Sequence, residues 1–232
     1  MGSSNVLVRK RKLLGAAIQL VVLFMAPLFG GAGTFAWRGG WLFLAAFFSF
    51  VAALTAWLFR HDPALLDERL TPVRADQKLW DKLLMGGMLG LFVSWLALMG
   101  LDARRFRWSR VPLWLRVVGA LLLLGSFAAL FATFRENTYL SPTVRVQRDR
   151  GQRVVSSGPY AVVRHPMYAA VVVLLLGTAL LLGSWWGLVA GAVVVVGIAR
   201  RAVLEERVLA DELPGYAEYI ARVRYGFLPL LW

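Results

Sequence analysis

Long apolar runs alternate along the chain with short segments that carry most of the charged residues. The apolar runs cover residues 13–33, 41–59, 83–101, 113–134 and 168–199. A helix needs about 20 predominantly apolar residues to cross the hydrocarbon core of a bilayer. Each of the first four runs is therefore predicted to form one membrane span.

The fifth run contains 32 residues without a charge, which is too long for one ordinary span. The sequence Gly-Ser-Trp-Trp-Gly at residues 183–187 interrupts it, so we expect a tight helical hairpin with the tryptophans at its turn. Its second helix is predicted to continue to about Glu212 and to end before Pro214. The predicted fold class is thus an all-α polytopic membrane protein with about six apolar helices and no Rossmann domain.

Composition and charge also indicate a membrane protein. Hydrophobic residues make up 59% of the 232-residue chain and charged residues 17%, against roughly 45–50% and 25% in soluble domains. The net charge is +13, and the charged residues lie between the apolar runs. Membrane topology and anionic lipid headgroups explain this excess of basic residues, so a nucleic-acid partner is not needed to account for it. With the N-terminus inside, 20 of the 26 Lys and Arg residues fall on the cytoplasmic side. The positive-inside rule therefore predicts that both termini are cytoplasmic.

Cysteine and histidine, which often act as catalytic residues or metal ligands, are scarce in the chain. The chain has no cysteine, which excludes disulfides, iron–sulfur sites and a thiol nucleophile. It has only two histidines, His61 and His165, which are too few for a His-rich metal centre. We therefore expect no metal in the functional site.

The densest polar motif lies just before the predicted hairpin, at residues 155–168. After a Gly-Pro turn, Pro166 falls in the first turn of a helix, where proline is favoured. The free N–H groups of a helix start, together with Arg164 and His165, favour binding of a carboxylate or a phosphate. The alternative is an interfacial anchor, with Arg164 toward the headgroups and Tyr168 in the aromatic belt.

The motif reads G-P-Y-x-x-x-R-H-P-x-Y, and it resembles the signature of the integral-membrane methyltransferases of the isoprenylcysteine carboxyl methyltransferase group, which includes phospholipid methyltransferases. Further similarity to bacterial members lies at residues 136–141, 144–147, 205–206 and 214–229. The resemblance covers residues 130–232. The first four predicted spans form an N-terminal membrane region over residues 1–134. The resemblance implies a catalytic region over residues 135–232 and a place in the bacterial inner membrane.

The same resemblance implies an S-adenosylmethionine site formed by the loop before the hairpin and by the C-terminal segment. The candidate cofactor-binding residues are Asn137, Tyr139, Gly158, Tyr160, Arg164, His165, Tyr168, Glu205 and Glu206. Arg164 and His165 are candidates for the carboxylate of the cofactor, and one of the two glutamates for its ammonium or ribose hydroxyls. Adjacent helical residues point about 100° apart, so one glutamate faces the pocket. The alternative for the pair is a solvated helix end.

Two residues are predicted to act on the methyl acceptor. Arg222 aligns with an arginine that, in the prenylcysteine enzymes, is thought to orient the substrate carboxylate, and Arg224 is a near alternative. A pair between Arg222 and Glu218 would make the arginine only structural. His165 is a candidate base for an amine acceptor, whereas a carboxylate or thiolate acceptor needs no strong base.

The sequence therefore predicts S-adenosylmethionine-dependent methyl transfer, at the cytoplasmic membrane face, to a lipophilic acceptor with a carboxylate, amine or thiol. The expected partners are this lipid or lipophilic small molecule and membrane lipids, with no nucleic acid. A sterol-reductase-like NADPH oxidoreductase is an alternative, in which the Arg-rich segment 145–153 would hold a 2′-phosphate. A transporter or scaffold is a third class, but the apolar runs carry almost no ionisable residues at mid-bilayer depth.

Overall fold

The computed structural model describes residues 2–71 and 77–227, and within these ranges the chain is helical and contains no strand. The helices are α1 (Gly2–Ala32), α2 (Arg38–His61), α3 (Pro63–Arg69), α4 (Leu79–Gly100), α5 (Leu113–Glu136), α6 (Pro166–Leu182), α7 (Trp185–Glu212) and α8 (Tyr216–Arg222). A π-helical turn, Leu101–Phe106, continues α4. The loop between α5 and α6 contains two short 3-10 turns.

Among the residues that the structure describes, five helices are long and apolar enough to cross a membrane. These spans are Arg11–Ala32, Arg38–His61, Leu79–Phe106, Leu113–Glu136 and Trp185–Glu212. The shorter apolar helix α6 has 17 residues. The structure thus confirms the predicted all-α membrane fold with six apolar helices.

The hairpin between α6 and α7 forms where the sequence predicts it. Pro166 occupies the first turn of α6, and Gly183 ends this helix with a φ of 85°, a left-handed conformation that glycine adopts at little cost. The hydroxyl of Ser184 then accepts a hydrogen bond from the Gly187 N–H at 2.8 Å and caps the start of α7. Turn and cap chemistry together therefore fix the position at which the long apolar run reverses.

Residues 60–82 are the polar segment between the second and third apolar runs, and the hydrophobic pattern predicts a loop there, but helix α3 lies inside it. The Asp62 side chain caps this helix by accepting a hydrogen bond from the Leu65 N–H at 2.9 Å, and Pro63 occupies its first turn. Leu65 and Leu66 are buried against α2 and α5. Two leucines are too weak a periodic signal to identify so short a helix from sequence.

Glycines allow two pairs of helices to pack with their backbones in contact. On α5 and α6, Gly119 and Gly177 face each other, and a methyl group on Gly119 would lie 2.5 Å from the Leu181 nitrogen. On α1 and α4, Gly31 lies against the Ala97 carbonyl in the same way. Close approach through small residues is typical of membrane helices. These contacts set the spacing between the two helices of each pair.

The two ends of the bundle differ in chemistry. Helix α3, the loop 137–165, the end of α7 and α8 gather at one end, where most of the ion pairs lie. At the other end, the buried carboxylate of Asp102 accepts hydrogen bonds from Ser109 and from Ser184 at the hairpin turn. The basic segment after α4 thus lies at the end opposite to the densest polar motif.

One continuous hydrophobic core extends through the bundle. It contains Phe24, Phe43, Trp95, Phe127, Ile198 and Phe227, which come from both sides of residue 134. The division into a region 1–134 and a region 135–232 stays a prediction.

Candidate active site

A polar pocket opens at the charged end of the bundle, between the loop that follows α5 and the ends of α6, α7 and α8. The residues that line it are Asn137, Tyr139, Leu140, Ser141, Thr143, Val144, Arg145, Gln152, Arg153, Val154, Val155, Tyr160, Arg164, His165, Pro166, Met167, Tyr168, Glu205, Leu209, Leu213, Tyr216 and Tyr219. The structure therefore brings together seven of the nine predicted cofactor-binding residues, and Gly158 and Glu206 lie outside the lining.

The start of α6 borders this pocket and contains two backbone N–H groups without an acceptor among the described residues. The backbone N–H groups of Arg164 and His165 donate to the carbonyls of Tyr225 and Gly226, both at 2.9 Å. Those of Met167 and Tyr168 have no intramolecular acceptor among the described residues, and both residues line the pocket. A helix N-terminus with free N–H groups carries partial positive charge and attracts anions. This feature agrees with the predicted anion-binding role of the motif.

Arg164 and His165 share one carboxylate, that of Glu206. The Arg164 Nε donates to Glu206 Oε1 at 2.6 Å, and the His165 Nε2 lies 2.9 Å from the same oxygen. Arg164 also donates to the carbonyls of Val223 at 2.8 Å and of Arg224 at 2.7 Å. Its guanidinium therefore joins α6, α7 and the segment after α8. This arrangement positions the pocket walls and already uses most of the arginine's donors.

The two adjacent glutamates of α7 have different surroundings. Glu205 lines the pocket, and its carboxylate accepts a hydrogen bond from the Tyr168 hydroxyl at 2.6 Å. Glu206 points to Arg164 and His165 outside the lining. The helical geometry thus separates the two carboxylates, as expected, and Glu205 is the one that a ligand in the pocket would meet.

The residues predicted after α5 form one side of the pocket. The Asn137 amide donates to the Tyr160 hydroxyl at 2.9 Å, and its carbonyl oxygen accepts from the Tyr139 N–H at 2.8 Å. Gly158 has a φ of 55°, and a side chain there would collide with Glu136. Gly158 therefore shapes the turn that carries Tyr160, although it does not line the pocket itself.

The structure does not bring Arg222 to the pocket. This residue is exposed at the end of α8, and Arg224 is exposed beside it. Among the described residues, Arg222 forms no ion pair with Glu218 either. The role of Arg222 in orienting the acceptor stays a prediction.

Tyrosines of α8 complete the pocket, and they are absent from the predicted site residues. Tyr216 and Tyr219 are buried, and the Tyr219 hydroxyl donates to the Tyr160 carbonyl at 2.8 Å. Burial raises the pKa of Tyr219 to about 12, and it also raises the pKa of Tyr160 and of Tyr216. The motif P-G-Y-x-x-Y at residues 214–219 was the available signal. Helix α8 therefore presents neutral phenols to a ligand.

An apolar groove between α5 and α6 adjoins the polar pocket. It is lined by Gly125, Ser126, Ala129, Thr133, Pro159, Val162, Val163, Pro166, Ala169, Ala170, Val173 and Phe227. The hydroxyls of Ser126 and Thr133 donate to carbonyls of their own helix, so the groove presents mostly hydrocarbon. Pro166 lines both the groove and the pocket, and Phe227 packs edge-on against His165. Polar and apolar binding surfaces thus meet at the start of α6.

A helical membrane bundle with a polar pocket at one end defines the structural class, and a comparison with known families narrows it. The sequence model described as phospholipid methyltransferase matches residues 114–213. This segment contains every candidate cofactor-binding residue and excludes Arg222. The match confirms the resemblance to the group of integral-membrane methyltransferases. Comparison with curated proteins gives no match.

Proposed function

We propose that the protein is an S-adenosylmethionine-dependent methyltransferase that acts on a lipophilic acceptor at the membrane surface. The observation that carries the proposal is the polar pocket, because it offers both signs of charge beside an apolar groove. The family match over residues 114–213 supports the reaction class. The excess of basic residues on one side supports cytoplasmic termini in a bacterial inner membrane.

The pocket fits the chemical groups of the cofactor. S-Adenosylmethionine supplies an electrophilic methyl group on a sulfonium. The free N–H groups of Met167 and Tyr168 suit its carboxylate, and the Glu205 carboxylate suits its ammonium or ribose hydroxyls. The faces of Tyr160 and Tyr216 offer π-surfaces to the adenine or to the sulfonium. Each half of this zwitterionic ligand therefore has a partner of opposite charge.

The protein's contribution to methyl transfer is mainly orientation and exclusion of water. Methyl transfer is an in-line displacement at carbon, so alignment of acceptor and methyl group supplies much of the acceleration. Glu206 fixes the positions of Arg164 and His165 at the start of α6. A carboxylate or thiolate acceptor needs nothing more than this alignment. For an amine acceptor, His165 is the candidate that would take the proton, and Arg222 remains the candidate that would orient the acceptor.

The apolar groove is the proposed place of the acceptor's hydrocarbon part. It lies between the membrane span α5 and the shorter apolar helix α6, so a lipid can enter it from the bilayer without crossing water. Its end at Pro166 and Phe227 borders the polar pocket. An acceptor held there would place its polar end beside the start of α6.

The test is calorimetric titration of the detergent-purified protein with S-adenosylmethionine and, separately, with NADPH. We expect binding of S-adenosylmethionine and none of NADPH. Glu205→Gln should weaken the affinity about tenfold to a hundredfold, because a charge-assisted hydrogen bond is worth about 1.5–3 kcal/mol. Glu212→Gln is the matched control, since Glu212 lies on the same helix and pairs with Lys78 outside the pocket. Folded wild-type protein that binds NADPH but not S-adenosylmethionine would disprove the proposal in favour of an oxidoreductase.

A further inference from the structure

Residues 140–145, here called the pocket wall, line the polar pocket without forming a helix or a strand. Five of the six, all but Pro142, belong to the pocket lining. A segment without regular hydrogen bonds keeps a fixed shape only if other groups satisfy its backbone. The partners of these backbone groups therefore decide the shape of this side of the pocket.

Two arginines from different helices donate to carbonyls of the pocket wall. The Arg69 Nη1 of α3 donates to the Leu140 carbonyl at 3.0 Å. The Arg201 Nη2 of α7 donates to the Pro142 carbonyl at 2.6 Å. Arg69 also lies over the Phe134 ring at 4.7 Å, which fixes the direction of its guanidinium.

Two buried carboxylates hold the other groups of the pocket wall. Glu68, 5% exposed, accepts from the Ser141 hydroxyl at 2.9 Å and pairs with Arg145 at 3.2 Å. Asp81, fully buried at the start of α4, accepts from the Val144 N–H at 3.0 Å. The Asp81 carboxylate also pairs with Arg201 at 3.2 Å. A buried carboxylate is costly unless it is paired and hydrogen-bonded, so each of these groups has one preferred arrangement.

We propose that Glu68, Arg69 and Asp81 are positioning residues that hold the pocket wall in its ligand-binding shape. All three precede the segment that matches the methyltransferase family, so the N-terminal half completes the site. None of the three residues lines the pocket. Each of them instead forms a hydrogen bond with a residue of the pocket wall that does line it. The choice of S-adenosylmethionine as the probe ligand rests on the proposed function.

The test compares Glu68→Gln and Asp81→Asn with Asp67→Asn in the full-length protein in detergent. Asp67 is a matched control, because it lies on the same short helix as Glu68 and pairs with Arg9 of α1 at 2.6 Å, away from the pocket wall. Two quantities are measured: amide hydrogen exchange of residues 140–145, and the dissociation constant of S-adenosylmethionine. Exchange reports on the pocket wall without any ligand.

We expect faster exchange at Ser141 and at residues 143–145 in Glu68→Gln and in Asp81→Asn, with about tenfold weaker S-adenosylmethionine binding, and no change of either quantity in Asp67→Asn. Exchange in α5 and α6 should stay as in the wild type. A global loss of stability would instead speed exchange in these helices as well. Arg69→Lys, which keeps the charge, replaces Asp81→Asn if that variant does not fold.

The experiment distinguishes failure of the proposed function from failure of the positioning role. If the wild-type protein does not bind S-adenosylmethionine, the proposed function is wrong, and the exchange measurement alone decides whether the wall is held by these residues. If the wild type binds but the Glu68 and Asp81 variants match Asp67→Asn in both exchange and affinity, the positioning role is wrong.

Discussion

The Nε of Arg164 lies 2.6 Å from a carboxylate oxygen of Glu206, a residue 42 positions further along the chain. The side chains are 9% and 19% exposed, so the pair is largely shielded from water. It joins the start of α6 to the end of α7, next to the N–H groups of Met167 and Tyr168, which have no acceptor among the described residues. The sequence predicts that Arg164 binds an anionic ligand. In the structure, Arg164 also forms an ion pair with Glu206 of the same chain.

Replacing Glu206 by Gln should destabilise the protein markedly. The substitution leaves the largely shielded Arg164 without its counter-charge, and the loss of such a charge-assisted hydrogen bond costs about 1.5–3 kcal/mol. Thermal unfolding in detergent measures the effect. Glu212→Gln, the same change in an ion pair whose side chains are 38% and 36% exposed, should cost at most about 1 kcal/mol. Equal unfolding temperatures in the two variants would contradict the prediction.

The contact between α5 and α6 should tolerate no side chain at Gly119. A methyl group there would lie 2.5 Å from the Leu181 nitrogen and 2.8 Å from the Gly177 carbonyl oxygen, so Gly119→Ala should cost about 1–3 kcal/mol. Gly125→Ala on the same helix meets nothing within 4 Å and should be neutral or stabilising, because alanine favours the helix. Thermal unfolding of both variants tests the contact, and a stable Gly119→Ala would refute it.

Filling the apolar groove should block the acceptor and spare the cofactor. Ala129 is exposed and lines the groove, whereas its neighbour Ala128 is exposed and does not. Ala129→Phe should therefore reduce methyl transfer to a lipid acceptor about tenfold or more while the affinity for S-adenosylmethionine is unchanged. Ala128→Phe adds the same ring to the adjacent face as a control. The groove assignment fails if the two variants have equal activity.

The tyrosines of the pocket should ionise late in an alkaline titration. The pKa of Tyr219 is about 12 because of burial, against about 10 for an exposed tyrosine. A folded-state pKa above the unfolded value stabilises the fold fully below pH 10, and this contribution is lost as the pH rises toward 12. Ultraviolet absorbance of the phenolate follows the titration. Tyr219→Phe should remove one late-titrating group, and a complete titration near pH 10 in folded protein would oppose the prediction.

Much of the fold could be predicted because the sequence features that identify a membrane helix lie within the helix itself or next to it. Long uncharged runs, Pro166 at a helix start and the glycine at the hairpin turn depend only on neighbouring residues. Helix α3 could not be predicted, because its formation depends on the Asp62 cap and on the burial of two leucines against distant helices.

The candidate site was predicted in part for the same reason. The run from Tyr160 to Tyr168 is contiguous, so its residues converge on one helix start in any fold that forms the hairpin. The separation of Glu205 from Glu206 follows from helical geometry, but which of them faces the ligand depends on how α7 is rotated against α6. That rotation is set by packing with Arg164 and Tyr168.

The sequence by itself determined the structural class, since the length and polarity of each run specify membrane helices, and the contiguous motif carries the resemblance to the membrane methyltransferases. Only the tertiary structure decided which distant residues meet. Glu68, Arg69 and Asp81 hold the pocket wall although they lie about 60 or more positions before it. No periodicity encodes such contacts, because they follow from how α3, α4 and α7 pack around an irregular loop whose backbone must be satisfied.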